Sequence, residues 1–274
     1  MASNYTDEAA AAGYRAFRYD FAERALAGRV VIVAGASGGL GAATTMLLAR
    51  EGARIVAGYR LNRARAEALR DAVATQTGAT ISLVEGDLAE PRVRAAYLDA
   101  ASKLGPLEAA AIFPGDPARV TWEALDAASL RASWDANFVG PTLLAKDLGN
   151  AMEQSDAGGS LVLLGTMQAV APFASSVNYA APKAALVHAA RILAKQFRRV
   201  RVNVVAPGAT LAGMAEASVS SGKYDSFVAG GAISRFGRPE DIARAVRFFL
   251  EPGGYATGQV IVVDGGLTLR RDAG

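Results

Sequence analysis

The feature that most restricts this chain is an alternation of short apolar runs with longer amphipathic ones. Seven runs rich in Val, Ile, Leu and Ala fall at 29–34, 54–58, 80–85, 107–113, 160–165, 201–205 and 259–263. Stretches of helical character separate them at 40–51, 63–77, 91–103, 130–152, 179–198 and 239–250. The apolar runs are nearly unbroken, as in strands covered on both faces. Strands separated in this way pair in parallel, with helices as crossovers. The expected fold is therefore α/β: a doubly wound three-layer sandwich around a seven-stranded parallel sheet.

No repeat or long linker divides the 274 residues. One domain is expected over 28–274, preceded by an N-terminal arm at 1–27. The arm carries Tyr14, Phe17, Tyr19 and Phe21, which are expected to pack on the body or on a neighbouring subunit. An irregular stretch at 209–236, with Met214, Tyr224, Phe227 and Val228, has the length of a lid. At 51% hydrophobic and 20% charged residues, the chain can build a core and lacks the signature of disorder.

Composition also excludes some chemistry. The absence of cysteine rules out disulfides and thiolate metal sites and points to a reducing cytoplasm. A single histidine, His188, rules out multi-histidine metal centres, so no metal is expected. The net charge is only +3, and the basic residues are scattered apart from Arg60, Arg63, Arg65 and Arg70. That is no nucleic-acid surface. No apolar run is long enough to span a bilayer, and the acidic start at Asp7 and Glu8 is not a signal peptide.

The first strand runs into Gly35-Ala36-Ser37-Gly38-Gly39-Leu40-Gly41, which then opens a helix. Glycines there let the backbone approach a pyrophosphate, and a helix N-terminus supplies free N–H groups. The same residues contain a GxSxG pattern centred on Ser37, as in the nucleophile elbow of serine hydrolases. That alternative needs a histidine late in the chain. His188 lies inside a helix with much of the fold still to follow, and is read as a structural residue.

Tyr179 and Lys183 are four residues apart in the helix expected at 179–198, so they share a face. A nearby ammonium favours phenolate and is expected to lower a phenol pKa from near 10. Such a pair could exchange a proton with a carbonyl oxygen.

With these motifs in order, the chain from about Leu26 to Leu269 resembles the short-chain dehydrogenase/reductase family. It is closest in pattern to 3-oxoacyl-acyl-carrier-protein reductases. The glycine segment resembles the family's TGxxxGxG, with Ala34 in place of threonine, and Tyr179-Ala180-Ala181-Pro182-Lys183 resembles its YxxxK. Asn137, Pro207-Gly208, Arg238-Pro239-Glu240-Asp241 and Val263-Asp264-Gly265-Gly266 stand where further family motifs belong.

The resemblance implies a Rossmann-type fold and a set of roles. Tyr179 would donate the proton, and Lys183 would bind the nicotinamide ribose. Thr166, thirteen positions before Tyr179, would bond the substrate oxygen. Asn137 would hold a water linking Lys183 to solvent. Gly35, Ser37, Gly38, Gly39, Leu40 and Gly41 would hold the pyrophosphate, with Asp87 and Leu88 at the adenine. Pro207 and Gly208 would flank the nicotinamide, with Thr210 near its carboxamide. Two departures stand out. Ile112-Phe113-Pro114-Gly115 replaces the family's Asn-Asn-Ala-Gly, and Ala212 stands near the place of the family's threonine after Pro-Gly.

NAD-binding folds place an acid after the second strand to hold the ribose 2′-OH. Here Tyr59-Arg60-Leu61-Asn62-Arg63 has none, and Arg60, Asn62 and Arg63 suit a 2′-phosphate. NADP(H) is therefore favoured over NAD(H). Phe113, Met167, Val170, Phe173, Met214, Tyr224 and Phe227 are the expected substrate wall, mostly apolar. The implied function is hydride transfer between NADP(H) and a carbonyl or secondary alcohol, with a 3-oxoacyl thioester as first candidate. The alternatives are a sugar or xenobiotic alcohol dehydrogenase of the same family, or a non-catalytic NADP(H)-binding regulator. The resemblance also implies a homotetramer, with a dimer second.

Overall fold

The structure, a computed structural model, describes residues 7–19, 21–174, 176–212, 219–222 and 224–270. Seven strands form one sheet: β1 (Val30–Ala34), β2 (Arg54–Tyr59), β3 (Ile81–Glu85), β4 (Leu107–Ile112), β5 (Gly159–Leu164), β6 (Val200–Pro207) and β7 (Val260–Val263). All pairings are parallel and the order is β3-β2-β1-β4-β5-β6-β7.

Side chains alternate across β1. Val31 and Val33 face α2 (Gly39–Arg50), α3 (Arg63–Thr77) and α9 (Pro239–Leu250), which contribute Leu48, Val73 and Phe249. Val30 and Ile32 face α4 (Pro91–Ser102), α6 (Gly140–Glu153) and α7 (Val177–Gln196), which contribute Tyr97, Leu148 and Leu186. Because β1 is covered on both sides, all five of its residues are buried. β7 is an edge strand, and its Val262 is 36% exposed.

Local chemistry sets the helix ends. The Asn62 side chain accepts the Arg65 N–H to start α3, and Gly78 ends it in the left-handed region at φ 73°. Pro91 occupies the first turn of α4, where its missing N–H costs nothing.

The helix expected at 130–152 is not continuous. It begins as α5 (Ala127–Trp134), capped by the Asp126 carboxylate on the Ser129 N–H, then passes through a π turn at Asp135–Val139 into α6. Further short helices among the described residues include α1 (Glu8–Arg15), α8 (Asp225–Ala229) and α10 (Leu267–Arg270), with a 3-10 turn at Met167–Ala169. α1 buries no residue. In the arm, Phe17 and Phe21 are more than four-fifths exposed, and Tyr14 stacks on Tyr19 at 6.1 Å. Leu26 is fully buried.

The chain leaves β1 for β2 on one side, and β4 lies on the other. The carboxyl ends of β1 and β4 therefore open a crevice at the switch in strand order.

Candidate active site

The crevice has two connected halves. Leu40 and Leu164 line both, so they form one cleft.

The first half, about 310 Å³, is lined by Gly35, Ser37, Gly38, Gly39, Leu40 and Gly41. A Cβ on Gly41 would stand 2.3 Å from the Gly35 carbonyl oxygen, so only glycine lets the loop close onto its helix. Gly38 is the N-cap of α2 and offers no side-chain acceptor. The first-turn amides of that helix are thus left for an anion. These features fit a dinucleotide pyrophosphate.

At the far end of this half stand Arg60, Asn62, Asp87 and Leu88. Arg60 Nη1 lies 3.3 Å from Asp87 Oδ2, in a pair about half exposed. The other Asp87 oxygen accepts the Ala89 N–H at 2.9 Å. Asp87 therefore makes a local turn, and the N-cap of α4 is Glu90. Arg63 is bonded to Glu85 and stands over the Tyr59 ring at 6.0 Å; it is not among the residues lining the cleft.

Sequence reasoning missed Arg94. This buried side chain donates to Asp147 at 2.7 Å and to the carbonyls of Leu88 at 2.8 Å and Ala89 at 3.0 Å. It holds the loop beside the cleft from below. The only signal was a charge next to the buried positions Val93 and Tyr97.

The second half is a chamber of about 400 Å³. Thr166 follows β5, and its hydroxyl accepts the Gln168 N–H at 3.3 Å. Tyr179, in the first turns of α7, lies on the same wall, near enough to Thr166 for that hydroxyl to act on its phenol. Pro207, Gly208 and Thr210 line the opposite side. Thr210 is buried, and its hydroxyl donates to the Gly208 carbonyl at 3.0 Å. Ala212 lines the chamber as well. Two motifs brace this side from behind. The Asp264 carboxylate accepts from Gly266 N–H and Thr268 N–H, both at 2.8 Å, and Asp241 caps α9 by accepting the Arg238 N–H at 2.8 Å.

Lys183 stands one turn beyond Tyr179 and is completely buried. It lines neither half. Its Nζ donates to the Leu164 carbonyl at 2.9 Å and to the Pro114 carbonyl at 3.4 Å. The departure at Ile112–Gly115 thus meets the lysine through its backbone. A Cβ on Gly115 would crowd both groups, falling 2.7 Å from Asn137 Oδ1 and 3.1 Å from Lys183 Nζ.

Asn137 sits in the π turn, fully buried. Its oxygen accepts the Asp116 N–H at 3.0 Å, while its Nδ2 reaches the carbonyls of Asp116 and Ser133 and the Ser133 hydroxyl. The side chain is occupied in holding the loop after β4.

Burial controls both titrating groups. It pushes the Tyr179 phenol up to about 12, against a smaller lowering by the Thr166 hydrogen bond; Tyr224 and Asp116 push in the same direction as burial. Burial pushes the Lys183 ammonium down to about 7. The expected lowering of the phenol by the ammonium is therefore not what this cleft has. The one lowering influence on the phenol is Thr166, and burial outweighs it.

The expected substrate wall is partly rearranged. Met167 and Tyr224 line the chamber. Phe113 lines the first half instead, and Phe173 and Phe227 pack in the cluster behind Met167 and Tyr224. Val170 is 44% exposed and does not line the chamber. Met214 lies outside the described residues. Arg119, Thr121, Gln168 and Ser176 join the wall, making it more polar than expected. His188 is exposed on α7 and lines neither half, so the hydrolase alternative has no partner for Ser37.

Among the described residues, no helix is long and apolar enough to cross a membrane, and no group of three or more His, Asp or Glu residues could hold a metal.

Comparison with known proteins agrees with this architecture. A short-chain dehydrogenase/reductase model described as enoyl-(acyl carrier protein) reductase matches residues 35–268. The chain is 29% identical to the NADPH-dependent aldehyde reductase 2 of Arabidopsis thaliana, over 89% of this chain and 95% of that one. It is 28% identical to the 3-oxoacyl-acyl-carrier-protein reductase of Thermotoga maritima, over 89% of this chain and 99% of that one. A solved 7α-hydroxysteroid dehydrogenase, complexed with NADH and 7-oxo glycochenodeoxycholic acid, superposes with a TM-score of 0.83 at 26% identity, over 90% of this chain and 98% of that one. The glycine loop, the tyrosine and the buried lysine thus stand in a fold shared by these oxidoreductases, and the chain belongs to the short-chain dehydrogenase/reductase family.

Proposed function

We propose that this oxidoreductase moves a hydride between NADP(H) and a carbonyl or secondary alcohol, with Tyr179 as the proton donor and acceptor. The observation that carries the reading is the placement of Tyr179 and Thr166 hydroxyls on one chamber wall, in a cleft continuous with the glycine loop.

When bound, the nicotinamide supplies or accepts the hydride; the rest falls to the protein. Tyr179 gives its O–H proton to the carbonyl oxygen, or takes it back in the reverse direction. Thr166 donates a hydrogen bond to the same oxygen. Lys183 holds the backbone around Leu164 and Pro114 in place, and its ammonium offsets the negative charge left on the phenol once the proton has gone. Asn137 fixes the loop that closes over Lys183.

NADP(H) is favoured because Arg60 stands at the far end of the cleft with no acid on the segment after β2. Its exposed pairing with Asp87 is weak enough for a 2′-phosphate to replace. Ala209, Thr210, Ala212 and Tyr224 border the chamber and support the lid expected at 209–236, of which residues 213–218 and 223 lie outside the described residues. Exposed Val177, Ile192, Phe248 and Val262 support a homotetramer through α7, α9 and β7, and the absence of cysteine supports a cytoplasmic setting.

The test is NADPH oxidation by the purified protein against aldehydes, ketones and an acetoacetyl thioester, with sugars and secondary alcohols in reverse. Turnover should favour NADPH over NADH, and Arg60→Asp should reverse the preference. Equal use of both cofactors would defeat the NADP(H) assignment. Cofactor binding without turnover, unchanged by Tyr179→Phe, would favour the regulator.

A further inference from the structure

The chamber wall is unevenly charged. Among the described residues lining it, Arg119 is the one charged side chain, and no carboxylate is present.

Arg119 reaches the wall because the strap after β4 bends over the chamber. The bend puts Ala118 at φ 47°, a left-handed conformation that a non-glycine residue adopts only when held there. Three contacts hold it. Asn137 clasps both backbone groups of Asp116 at 3.0 Å. The Asp116 carboxylate accepts the Ala118 N–H at 2.7 Å. Asn178 Nδ2 donates to the Ala118 carbonyl at 3.1 Å. Asn178 is next to Tyr179 in the chain, so the strap and the reacting hydroxyl share one anchor.

Other polar groups lie on the wall near Arg119. The Ser176 hydroxyl donates to Gln168 Oε1 at 2.6 Å, and Gln168 lies on the same wall as the Tyr224 phenol. Burial raises that phenol, while the Gln168 hydrogen bond and the Arg119 charge act in the opposite sense. Arg119 is thus near enough for its charge to be felt at Tyr224. Asp116, the nearest acid on the strap, spends one oxygen on Ala118 and does not line the chamber.

Resting on the carbonyl-reductase reading, we propose that the substrate bears a carboxylate remote from the reacting carbonyl, and that Arg119 and Tyr224 hold it while Tyr179 and Thr166 hold the carbonyl oxygen. The class is a small oxo acid or hydroxy acid, in keeping with a chamber of about 400 Å³. Arg119 is exposed, so its attraction is screened by salt.

The experiment compares unbranched oxo acids, from 4-oxopentanoate to 7-oxooctanoate, each with its methyl ester, using NADPH and the full chain. At least one acid should exceed its ester in kcat/KM by about tenfold, a difference of about 1.4 kcal/mol. That ratio should shrink as salt is added. Arg119→Met should collapse it through KM, and Arg119→Lys should keep part of it. Esters equal to or better than the acids throughout would overturn the proposal and leave the reductase reading standing, as would an acid preference untouched by Arg119→Met. If no compound in this set turned over, the reductase reading would stand or fall on the wider panel above. Calorimetric binding of the same acids and esters would then decide the carboxylate site: acid-selective binding lost in Arg119→Met supports it, and equal or absent binding overturns it.

Discussion

Asn137 and Asp116 are joined in both directions: the asparagine oxygen accepts the aspartate N–H, and the asparagine amide donates to the aspartate carbonyl, each at 3.0 Å. This clasp ties the π turn between α5 and α6 to the strap after β4. It also passes beside Gly115, where Lys183 Nζ comes close. The asparagine therefore sets the shape of both the lysine pocket and the chamber wall.

Asn137→Ala should accordingly lower stability by about 2–4 kcal/mol, because it leaves several buried polar groups without partners. Urea unfolding measures this. Turnover should fall further than the loss of folded protein explains, as the strap moves.

The Tyr179 phenol, raised to about 12 by burial, stays protonated through neutral pH. The phenol itself should thus add no pH dependence near neutrality, but carbonyl reduction should fall as pH rises through about 7 and the Lys183 ammonium is lost. Alcohol oxidation, which needs phenolate, should rise as pH rises. Tyr179→Phe should lower kcat in both directions by about 10²–10⁴-fold with the circular dichroism unchanged. Initial rates across pH check each statement.

Lys183 makes stability depend on pH. Its folded value, about 7, lies below the ordinary 10.5, so between these values the unfolded chain binds the extra proton. Stability from this group therefore rises with pH through that window, and is lowest and level below it. Lys183→Met should flatten the rise. Thermal midpoints of the two proteins, followed from neutral to alkaline pH, measure the difference.

Gly41→Ala would press a methyl group against the Gly35 carbonyl, 2.3 Å away. The atoms that the methyl meets are backbone and cannot move without opening the loop. The expected cost is about 1–3 kcal/mol in stability, together with weaker NADPH binding. Fluorescence titration with NADPH reports the second effect.

Arg94→Met should cost about 2 kcal/mol, since it leaves Asp147 without its partner in a half-buried site. It also frees the Leu88 and Ala89 carbonyls. The dissociation constant for NADPH should rise while kcat at saturating cofactor holds.

The architecture was legible in the order of the runs. Residues such as Val30 to Ala34 are apolar throughout because both faces of their strand are covered, and that pattern survives in one dimension. The same logic misleads at β7, whose Val-Ile-Val-Val reads as buried although the strand lies at the sheet edge. The placement of Tyr179 and Lys183 one turn apart on a single helix was legible too, because helix periodicity is local.

What the sequence determined by itself, then, was the fold, the glycine loop that opens α2, and the helix carrying Tyr179 and Lys183, all of which follow from local pattern. Tertiary structure alone decided the state and surroundings of those groups. Lys183 falls to about 7 because the strap, β5 and the π turn converge to exclude water from it. Arg119, Gln168 and Tyr224 meet in one chamber because three loops from distant parts of the chain meet at the sheet's carboxyl edge. Desolvation and convergence depend on neighbours far away in sequence, and no periodicity along the chain records them.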